Sequence, residues 1–165
     1  MPPAPIRSIG LGSALLAACA LGFALVTETW YGLAPCALCL VERWPYRFVV
    51  VAGLFAVVLP ARWARIVLWL AVVALAADAA IAFVHVGVEA AWWPSPLPEC
   101  AAPRFTGGSI AERLASMPAR PGKPCDSPSY FLPGVPVSLS LANLIFAAVF
   151  ACGMATALTS RRRRR

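Results

Sequence analysis

The residues best equipped for chemistry are cysteines in pairs. Cys36-Ala37-Leu38-Cys39 is a C-x-x-C, and Cys100 and Cys125 form a second, wider couple. A C-x-x-C can be half a zinc site, a small structural disulfide or a redox pair. Zinc needs four ligands, and the two couples together would supply four thiolates, but Cys100 and Cys125 lack the close spacing of a zinc knuckle. A structural bridge across so short a loop constrains the unfolded chain little. The redox reading accounts for the surroundings best. The pair opens an apolar helix, where the helix dipole and free N–H groups stabilise a thiolate, and Pro35 precedes Cys36 where proline is tolerated. Two such pairs on one face of a membrane form a relay: one exchanges with a soluble partner, the other with an acceptor in the membrane. A mixed-disulfide step must then bring Cys100 or Cys125 to Cys36.

The chain shows no binding motif for flavin, haem or nicotinamide, and no metal site is expected. The electron acceptor is therefore read as a small lipid-soluble molecule, a quinone. Arg43 lies four residues beyond Cys39, about one turn deeper on the same helix face. Charges inside a bilayer are expensive and mostly functional. Arg43 is thus expected to stabilise the Cys39 thiolate and to donate hydrogen bonds to a quinone carbonyl, while Arg47 suits a snorkelling role. His85, the sole histidine, falls at a depth similar to Arg43 and is the candidate to bond a quinone oxygen or relay a proton. Asp78 sits two turns deeper on the His85 face and must be neutral, paired or wet, with Arg47 or Asn143 as candidate partners. Glu42 is read as paired with a neighbour. Cys19 and Cys152 fall inside apolar segments and read as small apolar residues.

These side chains need membrane helices to position them. The chain is 61% hydrophobic and only 13% charged, with a mean hydropathy of +0.77. A soluble protein of 165 residues could not hide that much apolar surface. The expected class is all-α and integral to the membrane: a single four-transmembrane-helix bundle with spans near 9–27, 38–59, 66–88 and 137–158 and a long second outer loop near 89–136. Pro60 ends the second span. Arg7, a turn at Pro60–Arg65 carrying Arg62 and Arg65, and the run Arg161–Arg165 all fall on one side, which the positive-inside rule assigns to the cytoplasm together with both termini. The net charge of +7 comes largely from that terminal run, so nucleic-acid binding is not expected and contact with membrane lipid is. Within the outer loop, Trp92 and Trp93 suit the interface, and Ser109–Met117 reads as a short amphipathic helix. Leu16-Ala17-Ala18-Cys19 has the look of a lipoprotein processing box, but the residues after Cys19 stay apolar through Val26.

The block Pro-Cys-Ala-Leu-Cys-Leu-Val-Glu-Arg at 35–43, His85 ahead of the loop, Trp-Pro-Ser-Pro at 93–96 leading to Cys100, and then Cys125 resemble the bacterial disulfide-bond formation protein B (DsbB) family. The resemblance covers most of the chain and implies a mechanism. The cysteine matching Cys100 is attacked by a reduced periplasmic thioredoxin-fold protein of the DsbA type. That matching Cys125 exchanges with Cys36, and that matching Cys39 gives electrons to ubiquinone or menaquinone with the help of Arg43. His85 falls where the family often has a quinone-contacting histidine. The implied location is the bacterial inner membrane, with the four cysteines on the periplasmic side. A DsbA-type partner is a strong oxidant at roughly −120 mV, so its re-oxidation needs an acceptor such as a respiratory quinone. Asp78 departs from the family's third helix. The alternatives are a vitamin K epoxide reductase-like enzyme, whose C-x-x-C follows the loop pair where here it precedes it, and a non-enzymatic scaffold or metal-binding protein with structural cysteines.

Overall fold

Apolar stretches longer than a bilayer is thick fold as helices because helices satisfy every backbone polar group internally. In the computed structural model, which describes residues 4–100, 109–115, 123–130 and 137–160, four long helices form: α1 (Ala4–Thr29), α2 (Ala37–Val58), α3 (Ala61–Glu89) and α5 (Leu139–Ser160). A short helix, α4 (Ile110–Ala115), and a 3-10 turn (Pro98–Cys100) lie between α3 and α5. Three of the long helices, at Pro5–Thr29, Ala61–Glu89 and Leu139–Ser160, are long and apolar enough to cross a membrane. The protein is thus a multi-pass membrane protein whose described residues form helices and no strands. α2 has 22 residues, as many as α5, but carries Glu42, Arg43 and Arg47 in its first half.

α1 and α3 run beyond the expected 9–27 and 66–88, α2 and α5 are offset by one and two residues from 38–59 and 137–158, and one connection differs in kind. Pro60–Arg65 is not a turn. Leu59 is extended (φ −69°, ψ 151°) and caps α2, Pro60 is the N-cap of α3, and Arg62 and Arg65 already lie in α3. The residue before a proline is pushed to extended backbone, while the ring's fixed φ suits a helix start, so two residues suffice to reverse the chain. Pro45 lies inside α2, and the helix runs through it although it cannot donate to the carbonyl of Val41. The expected Ser109–Met117 helix is found as Ile110–Ala115. It is opened by a capping box in which Ser109 Oγ accepts from the Glu112 N–H at 3.3 Å and Glu112 Oε2 accepts from the Ser109 N–H at 2.8 Å. Met117 and the run Arg161–Arg165 lie outside the described residues.

Small residues set the packing. Ala17, Ala52, Ala56, Ala64 and Ala71 are buried with Val49, Leu68, Leu75 and Met154 in the central cluster. α1 and α2 approach each other closely at a pair of glycines. A Cβ added to Gly53 would sit 2.5 Å from the Gly10 carbonyl oxygen, and one added to Gly10 would sit 2.7 Å from the Gly53 carbonyl oxygen. Close backbone approach through small residues is how helices associate in lipid, where no hydrophobic gain drives them together. Large apolar side chains instead face outward, with Val73 62% and Val149 67% exposed. A protein in water would not carry so large an apolar exterior. α1 packs on α2, α2 on α3 and α3 on α5, whereas α1 and α5 barely touch. That open seam borders the site.

Candidate functional site: a thiol pair on a buried histidine–carboxylate network

Cys36 is the N-cap of α2. Its extended backbone (φ −82°, ψ 173°) lets its Sγ accept the Cys39 N–H at 3.3 Å, in place of the usual hydroxyl or carboxylate oxygen. The C-x-x-C spacing then sets the two sulfurs face to face across the first turn, 2.9 Å apart. Cys36 is buried and Cys39 half-buried, both with free thiols. Cys36 stands just outside α2, and its thiol is held below the ordinary thiol range, chiefly by the hydrogen bond with the Cys39 side chain, against the opposing effect of burial.

α3 supplies the neighbour. Nε2 of His85 lies 3.4 Å from Cys36 Sγ, and Nδ1 lies 2.8 Å from Glu42 Oε1. A carboxylate only accepts, so Nδ1 carries the proton, and in the neutral ring Nε2 turns its lone pair to the Cys36 thiol. This is the order nucleophile, base, orienting acid, by which a thiol is activated. Glu42 is itself held: its Oε2 accepts from Asn143 Nδ2 on α5 at 3.0 Å. Tyr46 OH donates to Asn143 Oδ1 at 2.7 Å, and Asn143 Nδ2 reaches Asp78 Oδ2 at 3.4 Å. The row Cys36–His85–Glu42–Asn143–Asp78 thus links α2, α3 and α5. Burying charge is costly unless it is paired and hydrogen-bonded, and this network answers that cost for Glu42, although Asp78 Oδ1 has no partner among the described residues. Glu89, one turn beyond His85, brings Oε1 to 3.8 Å from Nε2 and is hydrogen-bonded by Ser140 Oγ.

Cys100 and Cys125 are joined in a disulfide, so they do not complete a four-thiolate set with Cys36 and Cys39. The bridge is buried against Cys36, Leu38 and Val88. A parallel β-bridge between Cys36 and Lys123 holds it there, and a 3.4 Å bond from the Cys125 N–H to the Cys100 carbonyl ties its two halves together. Trp93 lies over Gly87, where any Cβ would overlap its ring, and Trp93 Nε1 donates to the Val84 carbonyl at 3.0 Å. This packing pins the start of the loop to α3.

Arg43 lines the same space as the thiols and also makes a contact that its spacing does not reveal. Its Nη1 donates to Glu28 Oε2 of α1 at 2.8 Å, tying α1 to α2 beside the thiols. Arg47 stacks on Trp44, 4.9 Å from the ring centroid. Of the two partners considered for Asp78, Asn143 is the one in contact. Cys19 lies exposed midway along α1, and Cys152 is exposed on α5.

A cavity of about 520 Å³ opens on this site. Leu16, Ala20 and Phe23 of α1 and Phe146 of α5 give it apolar walls; Cys36, Cys39, Glu42, Arg43 and His85 give it a polar end. An apolar chamber with a few convergent polar groups is the usual form of a small-molecule site. Sequence reasoning underrated Glu42 and overlooked Tyr46 and Glu89. The signal was present: Cys39, Glu42 and Tyr46 follow the i, i+3, i+7 stripe of one helix, and Asp78, His85 and Glu89 follow the matching stripe of another.

Fold and site together define a membrane helical bundle carrying a thiol pair and a disulfide at one end. A family model described as disulfide bond formation protein DsbB matches residues 6–159. The chain belongs to that family, whose members are disulfide-generating membrane oxidoreductases. No curated protein and no solved structure matches the chain significantly.

Proposed function

We propose that this chain is a protein-dithiol:quinone oxidoreductase of the bacterial inner membrane, which re-oxidises a DsbA-like thioredoxin-fold partner in the periplasm and passes the electrons to ubiquinone or menaquinone. The observation that carries this reading is the convergence of Cys36, Cys39, Arg43 and His85 on the polar end of one apolar cavity.

In this scheme a thiolate of the reduced partner attacks Cys100 and releases the Cys125 thiolate. The partner's second thiolate then resolves the mixed disulfide, so the partner leaves oxidised and Cys100 and Cys125 hold its two electrons. Cys125 attacks Cys36 of an oxidised Cys36–Cys39 pair, freeing the Cys39 thiolate, and Cys100 closes the loop disulfide again. The loop bridge with free Cys36 and Cys39 thiols is the pattern that precedes delivery of electrons to the acceptor. A bound quinone supplies a sink for two electrons and two protons. The walls from α1 and α5 suit an apolar ring and tail. Arg43 and His85 would hold the ring's oxygens, His85 and Glu42 would move the Cys36 proton, and the Cys39 thiolate faces the same space.

The topology that serves this scheme has four spans in a single domain, with α2 as the fourth. Its 22 residues reach roughly 33 Å at 1.5 Å per residue, enough for the hydrocarbon core. Two of its three charged groups are met inside the protein, Glu42 by His85 and Asn143 and Arg43 by Glu28, while Arg47 is exposed over Trp44. Both termini are cytoplasmic, and residues 89–136 form the second periplasmic loop. The direct experiment mixes purified protein with a reduced thioredoxin-fold partner and ubiquinone and follows quinone absorbance. Quinol should form in step with partner oxidation and stop in Cys36→Ser and Cys39→Ser. Turnover that survives either substitution would reject the scheme.

A further inference from the structure

The reduced thiol pair has a second capacity. Cys36 Sγ, Cys39 Sγ and one His85 ring nitrogen all lie within 4.8 Å of one another. Glu89 brings a carboxylate oxygen to 3.8 Å from His85 Nε2. We propose that Cys36, Cys39, His85 and Glu89 form a tetrahedral site for a zinc-class divalent cation, and that the bound ion holds the pair reduced.

Three of the donors already face one another, and Glu89 approaches the set from the His85 side. Zinc–sulfur bonds of about 2.3 Å and zinc–nitrogen or –oxygen bonds of about 2.0 Å place tetrahedral donors roughly 3.3–3.8 Å apart. The separations from Cys36 Sγ to His85 Nε2, 3.4 Å, and from His85 Nε2 to Glu89 Oε1, 3.8 Å, already have that span. Only the sulfurs, at 2.9 Å, must part, and Cys39 is half-buried beside open space. The outer contacts are in place as well. Glu42 on Nδ1 leaves Nε2 as the free lone pair, the carboxylate–histidine arrangement that orients a metal-binding imidazole. The Cys39 N–H donates to Cys36 Sγ, a contact that stabilises a coordinated thiolate. Ser140 fixes Glu89. Two thiolates and one carboxylate exceed the ion's charge by one, and Lys123 lines the same cavity to offset it. All four ligands line that cavity, so the ion has a way in.

Binding exchanges two thiol protons for the metal, with no change in oxidation state. Disulfide formation between Cys36 and Cys39 then requires the ion to leave. The site depends only on the reduced thiols. Its consequence, a brake on turnover by zinc, rests on the proposed electron transfer.

The test is a Co2+ titration of the detergent-purified protein, reduced and freed of reductant without oxygen. The expected result is one Co2+ per chain, with the absorption of a tetrahedral ion and a thiolate-to-metal charge-transfer band, displaced by Zn2+. The band should vanish in Cys36→Ser and Cys39→Ser and persist in Cys100→Ser/Cys125→Ser. Affinity should fall about tenfold or more in His85→Ala, Glu89→Gln and Glu42→Gln. An octahedral spectrum, unchanged affinity in His85→Ala, or loss of the band in the loop double variant would overturn the proposal. X-ray absorption of the zinc-loaded unmodified protein removes the question of misfolded variants. Two sulfurs with two nitrogen or oxygen donors are expected, and a shell of four sulfurs or of none would reject the site. Failure of the quinone assay with this signature intact would count against the electron transfer alone. A working assay with no tetrahedral signature would count against the metal site alone.

Discussion

Nε2 of His85 lies 3.4 Å from Cys36 Sγ although 49 residues separate them in the chain. The contact joins α3 to the N-cap of α2, and Glu42 locks the imidazole from behind. If His85 moves the thiol proton, His85→Asn should slow quinol formation by about 10²–10⁴, the usual reach of general acid–base catalysis. Glu42→Gln should slow it in the same direction by less. Stopped-flow quinone absorbance reads both, and a rate unchanged in His85→Asn would remove His85 from proton transfer.

The lowered Cys36 thiol gives a pH prediction with a definite sign. A depressed pKa keeps the thiolate present at pH values where an ordinary cysteine is protonated. Iodoacetamide should therefore modify Cys36 of the reduced protein with an inflection below that of a free thiol. The stability that this thiolate contributes is complete above the ordinary thiol pKa and is lost as pH falls through the lowered one. The Cys39 side chain is the main cause, so Cys39→Ala should return the inflection upward. Peptide mapping of the alkylated protein against pH decides it.

Arg43→Ala should weaken quinone binding about tenfold, within the range for losing a charged hydrogen bond, and leave the rate at saturating quinone much less affected. Because Arg43 is paired with Glu28, Glu28→Gln frees the guanidinium and should not share that loss. Initial rates at limiting quinone measure both, and unchanged kinetics in Arg43→Ala would end its proposed role.

Gly53→Ala places a Cβ 2.5 Å from the Gly10 carbonyl oxygen, and the backbones of α1 and α2 must part. Overpacking of this kind costs about 1–3 kcal/mol. Thermal unfolding in detergent should show a clear drop for Gly53→Ala and almost none for Gly153→Ala, where nothing lies within 4 Å.

Much of this was legible in the sequence because it is written in local patterns. Apolar length marks α1, α3 and α5, and two cysteines three apart at a helix start mark the thiol pair. The start of α3 lies earlier than a turn over Pro60–Arg65 allows, because Leu59 and Pro60 together reverse the chain and leave Arg62 and Arg65 inside the helix. Glu42 was underrated because its neighbour Arg43 offers an apparent partner. The pairing resolves only when α1 brings Glu28 to Arg43 and α3 brings His85 to Glu42. Which of two adjacent charges turns inward depends on helices that no local window contains.

The sparse contact between α1 and α5 carries a consequence for traffic. On the proposed reading, a molecule dissolved among the acyl chains can slide sideways through that gap and reach the sulfurs without crossing water. Supply and release then depend on lipid fluidity and on the bulk of side chains along the gap, such as Phe23 and Phe146. On the same reading, greasy, flat molecules would jam this doorway and leave the reduced cysteines with nowhere to send their electrons.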